Sequence, residues 1–361
     1  MRLKILAVSV AVVIGALAAL SGCASEPVAN VPERRTKTYF DYFDTVSQII
    51  GYEDDEQTFE EVCENIRAML EKYHMLCDIY HGYDGMNNLY TVNKNAGVSA
   101  VSVDEWLIDM LLYAEDMSGR TGGMFDVTMG SVLSIWHDHR EQAISNSDEA
   151  SVPDMQQLKD ASVHTGYDKL VIDEENMTVY ITDPQMSLDV GGIAKGYAVN
   201  CIVNYLCDAG VSGYALNIGG NISVIGAKPD GTPEGEKWTV GIQNPDLDSD
   251  TPYVCSIDIS DMSVVTSGDY QRYYYVDGVK YHHIINPYTL MPQNNFSAVS
   301  VVCSDSGLGD CLSTALFNMS VEEGKEMLHS ELFSSYDIEV VWILPDGSMQ
   351  MTDGFSDMLS E

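Results

Sequence analysis

Helical and strand-like hydrophobic patterns follow one another between residues 38 and 361 without a regular strand–helix–strand alternation. Regular alternation would indicate a doubly wound parallel sheet, whereas this irregular mixture is typical of an α+β fold. The length allows one large domain or two. Helical spacing of apolar residues predicts helices over 59–77, 104–118, 194–209, 308–318 and 321–332. Alternating patterns predict strands over 38–50, 214–218, 222–225, 238–243, 254–259, 272–276, 298–303 and 339–344, and a hairpin over 169–182.

The first residues have the order of a secretion signal. Arg2 and Lys4 precede a nearly apolar run over 5–20, which is short for a membrane span of about 20 residues. The tetrapeptide LSGC that ends at Cys23 resembles the lipobox of bacterial lipoproteins, in which this Cys carries the lipid. A plain signal peptide and a membrane anchor are the alternatives. We expect a lipoprotein signal peptide at 1–22, lipidation of Cys23, a linker at 23–37, and attachment to the extracytoplasmic face of a bacterial membrane.

The net charge argues against one class of partner. The chain has 18 Lys and Arg residues against 55 Asp and Glu residues, a formal net charge of −37. Nucleic-acid binding needs cations against the phosphates, so we expect no nucleic-acid partner. The eight Cys residues form no Cys-x-x-Cys pair, which argues against a zinc site and a thioredoxin motif.

The segment 189–198, DVGGIAKGYA, is the most informative stretch of the chain. A strand is predicted to end at Asp189, Gly191 and Gly192 form a tight turn, and a helix follows. Glycines allow the backbone to approach a ligand closely, and a helix N-terminus favours phosphate. The segment is not a Walker A loop, because no second Gly precedes Lys195 at the required spacing. Taken alone, it also fits an ordinary strand–turn–helix joint.

As a whole, this segment resembles the hallmark of the FAD:protein FMN transferase (ApbE) family. Five more segments resemble motifs of that family: 121–130 (TGGMFDVTMG), 217–222 (NIGGNI), 266–273 (TSGDYQRY), 282–289 (HHIINPYT) and 308–316 (LGDCLSTAL). The resemblance implies a single ApbE-type catalytic domain, related to the T-fold, over residues 38–361. Three positions depart from the pattern: Phe43 replaces a Met that contacts the flavin, Asn286 an Asp, and Leu290 a Gly.

The resemblance implies that FAD binds as a substrate. The residues implied to contact it are Phe43, Tyr80, Met124, Phe125, Asp126, Asp189, Lys195 and Ile284. Tyr80 resembles an aromatic residue that stacks on the flavin or the adenine, although a core position is open as an alternative. Asp189 and Lys195 are also candidate catalytic residues, with Lys195 supplying positive charge near phosphate. Of the adjacent His282 and His283, we favour His283 as the acid/base group or phosphate contact.

Asp310 and Thr314 form a candidate metal pair. They are four residues apart in a predicted helix, so their side chains share one face. A carboxylate and a hydroxyl suit Mg²⁺, which prefers oxygen ligands and also binds substrate phosphates. Such a pair alone is more typical of a solvated face or a helix cap. The resemblance adds the backbone carbonyl of Gly192 and implies that these three residues hold Mg²⁺.

The reaction implied by the resemblance is transfer of FMN from FAD to a Thr or Ser hydroxyl of an acceptor flavoprotein, with release of AMP. The implied acceptors are membrane redox-pump subunits or secreted reductases. Hydrolysis of FAD to FMN and AMP is one alternative, because water could replace the hydroxyl in the same site. A non-catalytic flavin-binding lipoprotein is another, against which the intact pair of Asp310 and Thr314 argues.

Overall fold

A large antiparallel sheet lies at the centre of the computed structural model, which describes residues 31–232 and 235–360. The strands are β1 (Arg34–Tyr42), β2 (Thr45–Tyr52), β3 (Val101–Ser102), β4 (Leu170–Asp173), β5 (Thr178–Ile181), β6 (Tyr214–Ile218), β7 (Asn221–Ile225), β8 (Trp238–Gln243), β9 (Tyr253–Ile259), β10 (Ser263–Gly268), β11 (Tyr273–Val276), β12 (Val279–His282), β13 (Ala298–Cys303), β14 (Glu339–Ile343) and β15 (Met349–Met351). Eight of them form the sheet β1-β2-β6-β7-β10-β13-β14-β15. The smaller sheets are β3-β5-β4, β8-β9 and β11-β12.

Several helices pack against this sheet, and five of the nine in the described residues were predicted from the sequence. They are α1 (Glu56–Cys77), α2 (Leu89–Lys94), α3 (Glu105–Arg120), α4 (Gly130–Ser145), α5 (Met155–Ser162), α6 (Ala194–Asp208), α7 (Ser306–Phe317), α8 (Val321–Leu328) and α9 (Asp353–Asp357). The start of α1 is set by Asp55, whose carboxylate accepts a hydrogen bond from the Thr58 backbone N–H at 3.0 Å. The mixture of helices and antiparallel strands confirms the predicted α+β fold.

Strand β13 shows how the layers are arranged. All six of its side chains are buried, so both faces of the sheet are covered here. Val299 and Val301 pack into the core that contains α7, whereas Ala298 and Val302 pack into a second core. This second core includes Trp238 of the β8–β9 ribbon and Phe355 of α9. The sheet therefore lies between a helical layer and a smaller layer made by the ribbon and α9.

The structure differs most from the predicted boundaries in three places. Strand β1 begins at Arg34, so the last four residues of the predicted linker belong to the sheet. The pattern over 38–50 is two strands, joined at Phe43 and Asp44, which both have positive φ angles, 54° and 53°. Helix α8 ends at Leu328 rather than at residue 332.

The predicted signal peptide and Cys23 lie outside the described residues. Within residues 31–232 and 235–360, no helix combines the length and apolar character that crossing a bilayer requires.

Candidate active site

A cleft of about 1150 Å³ brings together the segments that carry the sequence motifs. It is bounded by the β1–β2 turn, the N-terminal end of α6, the end of β10 and one face of α7. Among the residues that the structure describes, every predicted site residue lines this cleft: Phe43, Tyr80, Met124, Phe125, Asp126, Asp189, Gly192, Lys195, His283, Ile284, Asp310 and Thr314. The fold therefore gathers these residues, while the role of each stays a prediction.

Close packing between α6 and α7 places Asp310 at the base of the cleft. The backbone N–H of Gly196, in the first turn of α6, donates a 2.8 Å hydrogen bond to Asp310 Oδ2. A Cβ at position 196 would lie 2.5 Å from Asp310 Cβ and closer still to the Ser306 carbonyl oxygen. Only glycine allows this approach without displacing one of the helices. This explains why a Gly is present inside a helix, where it is about 1 kcal/mol less favourable than Ala.

Gly192 and Thr314 also meet in the cleft. A Cβ on Gly192 would lie 3.2 Å from Thr314 Oγ1 and 3.4 Å from the ring of Phe125. The glycine turn therefore lies directly against the face of α7 that carries Thr314 and Asp310. The three residues of the predicted metal set are thus neighbours in space.

Asp310 is a buried carboxylate, only 6% exposed. In the described part of the chain, no Lys, Arg or His nitrogen lies within 4.0 Å of it. Buried charges in proteins are paired or bind metals, because removing a charge from water is costly. No group of three or more His, Cys, Asp or Glu residues is placed to hold a metal within residues 31–232 and 235–360. Any cation at Asp310 must therefore take its other ligands from hydroxyl, carbonyl, water or substrate oxygens.

Asp189 connects two of the sequence motifs. Its backbone N–H donates to the Val127 carbonyl at 2.8 Å, and its Oδ1 accepts from the Gly191 N–H at 2.8 Å. The carboxylate thus stabilises the glycine turn and also lines the cleft. Lys195 follows in the first turn of α6, where its side chain lines the cleft as well.

The adjacent His282 and His283 have different environments. His282 is buried, its Nε2 lies 2.8 Å from the Gln293 carbonyl oxygen, and its Nδ1 accepts from the Ile284 N–H at 3.2 Å. Both of its ring nitrogens are therefore used within the fold. His283 lines the cleft, and its Nδ1 is buried with no hydrogen-bond partner in the described structure. Burial and the nearby positive charge of Arg272 lower the pKa of His283 to about 3, so the ring is neutral at neutral pH.

The aromatic residues of the cleft are held in two different ways. The Phe43 backbone N–H donates to His74 Nδ1 at 3.2 Å, and the two rings pack edge to face. Tyr80 is 56% exposed and lies 5.7 Å from the His137 ring, measured between centroids. A core position for Tyr80 is therefore wrong, and its ring is free to stack on a ligand.

The carboxylate and apolar residues of motif 121–130 form another wall of the cleft. Phe125 is 3% exposed, and Ile284 from the histidine loop is 6% exposed. Asp126 Oδ1 accepts from the Thr128 N–H at 2.7 Å, and burial raises the pKa of Asp126. Met124 lines the same wall. A largely apolar wall with a few fixed polar groups is typical of a small-molecule site.

Comparison with known proteins decides the family. The model of the ApbE family matches residues 43–341, which is most of the chain. The chain belongs to the ApbE family.

Several named relatives and a solved structure support this assignment. The chain is 31% identical over 279 residues to the FAD:protein FMN transferase of Treponema pallidum, covering 74% of each chain. It is 28% identical over 289 residues to one from Klebsiella pneumoniae, covering 79% of this chain and 82% of the relative. The crystal structure of the ApbE protein from Thermotoga maritima is similar with a TM-score of 0.76 and 26% identity, covering 91% of this chain and all of that one.

The three departures from the ApbE pattern are structurally defined. Phe43 adopts the left-handed backbone of the β1–β2 turn. Leu290, where the family has Gly, has a φ of 60°, a conformation that favours glycine. Asn286 supports the same loop, because its Oδ1 accepts from the Tyr288 and Thr289 N–H groups, each at 3.0 Å.

Two cationic residues of the cleft were not among the site residues predicted for this ApbE chain. Arg140, on α4, lines the cleft and donates to His137 Nδ1 at 2.8 Å. Arg272 also lines the cleft and follows β10 within motif 266–273. The position of Arg272 within this motif could have indicated that it belongs to the site. Arg140 is one helical turn after Trp136, but nothing in the sequence shows which face of α4 meets the cleft.

Proposed function

We propose that this protein transfers FMN from FAD to a Thr or Ser hydroxyl of an acceptor protein in a Mg²⁺-dependent reaction that releases AMP. The hydroxyl oxygen bonds to the FMN-side phosphorus, and the bond from that phosphorus to the AMP oxygen breaks. The hydroxyl proton is lost to a base, and AMP leaves with the bonding electrons. The observation that carries the proposal is the buried Asp310 carboxylate, which lies in the cleft beside Thr314 and the glycine turn without an ion-pair partner in the described structure.

The residues at the base of the cleft fit Mg²⁺. Asp310 supplies a carboxylate, Thr314 a hydroxyl and Gly192 a backbone carbonyl, and these are the oxygen ligands that Mg²⁺ prefers. A side chain at position 192 would reach the Thr314 hydroxyl, so the glycine keeps this space open. When bound, Mg²⁺ would neutralise charge on the pyrophosphate.

The charges that line the cleft support the need for a cation. Among the described residues, five carboxylates line it, from Asp44, Asp126, Asp138, Asp189 and Asp310. The cationic side chains that line it are Lys195, Arg140 and Arg272. FAD is an anion, so an excess of carboxylates over cationic side chains is by itself unfavourable for binding its phosphates. A divalent cation at the base of the cleft would reverse the balance where the pyrophosphate binds.

His283 is our candidate for the base. Its neutral ring can accept a proton, and its buried Nδ1 has no partner among the described residues. Arg272 contributes to the lowered pKa of His283. The negative charge of bound pyrophosphate would offset that effect and bring the pKa of His283 nearer to neutral. Lys195 and Arg272 would bind phosphate oxygens and stabilise the charge that develops during transfer.

The test is incubation of the purified protein with FAD, Mg²⁺ and a candidate acceptor, followed by mass spectrometry of the acceptor and chromatography of the nucleotides. We expect an FMN adduct on a Thr or Ser and one equivalent of AMP per adduct. Formation of FMN and AMP without an adduct would show a hydrolase instead. Binding of FAD without either product would show a non-catalytic flavin-binding protein.

We further propose that Cys23 is lipidated and holds the domain on the extracytoplasmic face of a bacterial membrane. The support is the sequence around LSGC. A membrane redox-pump subunit or a secreted reductase would then be within reach as the acceptor.

A further inference from the structure

Arg140 of α4 lines the cleft and is a cation without a strong anionic partner in the described structure. Its side chain is 14% exposed, and the one described carboxylate within 4.0 Å is that of its neighbour Glu141, at 3.4 Å. The Glu141 side chain is 54% exposed, and exposed ion pairs contribute little to stability. The charge of Arg140 is therefore available to a ligand of the cleft.

One edge of the Arg140 guanidinium is fixed by His137, which lies one turn earlier on α4. Arg140 Nη2 is 2.8 Å from His137 Nδ1. A guanidinium can only donate, so His137 Nδ1 accepts and the proton of the neutral ring lies on Nε2. The His137 ring lies beside the Tyr80 ring, with 5.7 Å between centroids and 35° between planes. This arrangement orders the guanidinium before a ligand binds, and so reduces the entropy lost on binding.

The other edge of the guanidinium is open. Within residues 31–232 and 235–360, Nε and Nη1 of Arg140 have no hydrogen-bond partner, and both atoms are solvent-accessible. Two parallel N–H donors match two oxygens of a phosphate group. Besides burial and Arg272, the charge of Arg140 also lowers the pKa of His283, the candidate base. Arg140 therefore acts electrostatically at the end of the cleft where the phosphates are proposed to react.

We propose that Arg140 binds phosphate oxygens of FAD through its Nε–H and Nη1–H groups, and that His137 positions it. FAD carries one phosphate on its FMN half and one on its AMP half, and the open edge fits either. Phosphate is favoured over the two ring systems because it carries the negative charge that an unpaired guanidinium attracts. The proposal rests on the FAD-dependent function proposed above, in which Lys195 and Arg272 bind other phosphate oxygens.

The test compares equilibrium binding of FAD, FMN and AMP to the wild type and to Arg140→Gln in Mg²⁺, by flavin fluorescence and by displacement of FAD. Loss of a charged hydrogen bond should weaken FAD binding about tenfold or more. A contact with the FMN phosphate predicts a similar loss for FMN alone, a contact with the AMP phosphate a loss for AMP alone, and a guanidinium that spans both phosphates a loss for both.

Two further variants separate the charge from its geometry. Arg140→Lys keeps the positive charge but not the paired donors, so it should lose less FAD affinity than Arg140→Gln. The control Arg120→Gln removes an Arg of α3 that lies outside the cleft, and it should bind all three ligands like the wild type.

The positioning role of His137 is tested by His137→Phe, which keeps a ring beside Tyr80 but removes the acceptor for Arg140. This change should weaken FAD binding several-fold in the wild type and have little further effect in Arg140→Gln, because residues that act through one contact are not additive. Fully additive losses would overturn the positioning role.

Three results would overturn the assignment of Arg140. The first is equal FAD affinity of Arg140→Gln and Arg120→Gln, and the second is unchanged binding of both FMN and AMP. The third is an equal loss for riboflavin and FMN, or for adenosine and AMP, because riboflavin and adenosine lack phosphate. If Arg140→Gln does not fold, unchanged affinities in Arg140→Lys would exclude the contact. A wild type that binds no FAD would reject the proposed function as well, whereas binding without transfer would reject that function alone.

Discussion

Replacing Asp310 by Asn is the sharpest test of the site at the base of the cleft. The change keeps the size of the side chain and an oxygen that can accept from the Gly196 N–H, but it removes the charge. Asp310 is the only carboxylate in the set formed with Gly192 and Thr314. Removing its charge should therefore weaken metal binding and the stabilisation of negative charge in the transition state. We expect FMN transfer to slow by about a thousandfold or more, which corresponds to about 4 kcal/mol.

The effect of the same change on folding should have the opposite sign. In EDTA, Asp310→Asn should unfold at the same temperature as the wild type or above it, because a buried unpaired charge is removed from a very acidic chain. Asp310→Ala should be less stable than Asp310→Asn by about 1–3 kcal/mol, because the Gly196 N–H then loses its acceptor. The two variants thus separate the charge from the hydrogen bond.

The assays are FMN transfer to an acceptor and thermal unfolding with FAD at increasing Mg²⁺. Ligand binding to the folded state raises the unfolding temperature, so Mg²⁺ should stabilise the FAD-bound wild type but not Asp310→Asn. Asp208→Asn, an exposed change at the end of α6, serves as the control and should behave like the wild type. Near wild-type transfer by Asp310→Asn in Mg²⁺, with the same Mg²⁺ dependence of unfolding, would refute the assignment.

Three further predictions test packing, protonation and localisation. Gly196→Ala should lower the free energy of unfolding, measured in urea titrations, by about 2 kcal/mol or more. Gly119→Ala, whose Cβ would meet nothing within 4 Å, should raise it by up to about 1 kcal/mol. Similar values for the two variants would contradict the close packing of α6 on α7. The pKa of His283 is lower in the folded than in the unfolded chain, so its contribution to the free energy of unfolding should fall as the pH drops from about 6.5 towards 3, by up to about 1.4 kcal/mol per pH unit. If the free energies of unfolding of the wild type and His283→Gln change in parallel over this range, the lowered pKa of His283 is wrong. Cys23→Ser should release the protein from the membrane fraction or block its processing, and unchanged fractionation would exclude the lipid anchor.

Elements with strong local patterns were predictable from the sequence. Strand β13 was predicted with both ends correct, and the predicted start of α6 is also its observed start. In both elements, the spacing of the apolar residues fits a single type of secondary structure, and the flanking residues indicate where the element begins and ends. The chemistry of Asp310 and Thr314 was visible for the same reason, since a spacing of four within a helix places two side chains on one face.

Elements whose stability comes from distant partners were missed. Strand β10, with the sequence SVVTSG, had no predicted counterpart although it lies between β7 and β13 in the sheet. Its polar Thr266 forms a 2.7 Å hydrogen bond with Ser300 of β13, which no local pattern reveals. Helix α4 was missed as well, because its apolar face is narrow and packs on the loop at Leu290, whose carbonyl accepts from Trp136 Nε1.

The sequence by itself determined the family, the α+β class and the residue types of the site, because motifs and periodicities are local properties of the chain. Only the tertiary structure distinguished His282 from His283, since neighbouring residues differ in which distant groups surround them. It also brought Arg140 and Arg272 to the cleft. These features depend on which surfaces meet when the sheet and helices pack, and that is decided by contacts between residues far apart in the chain.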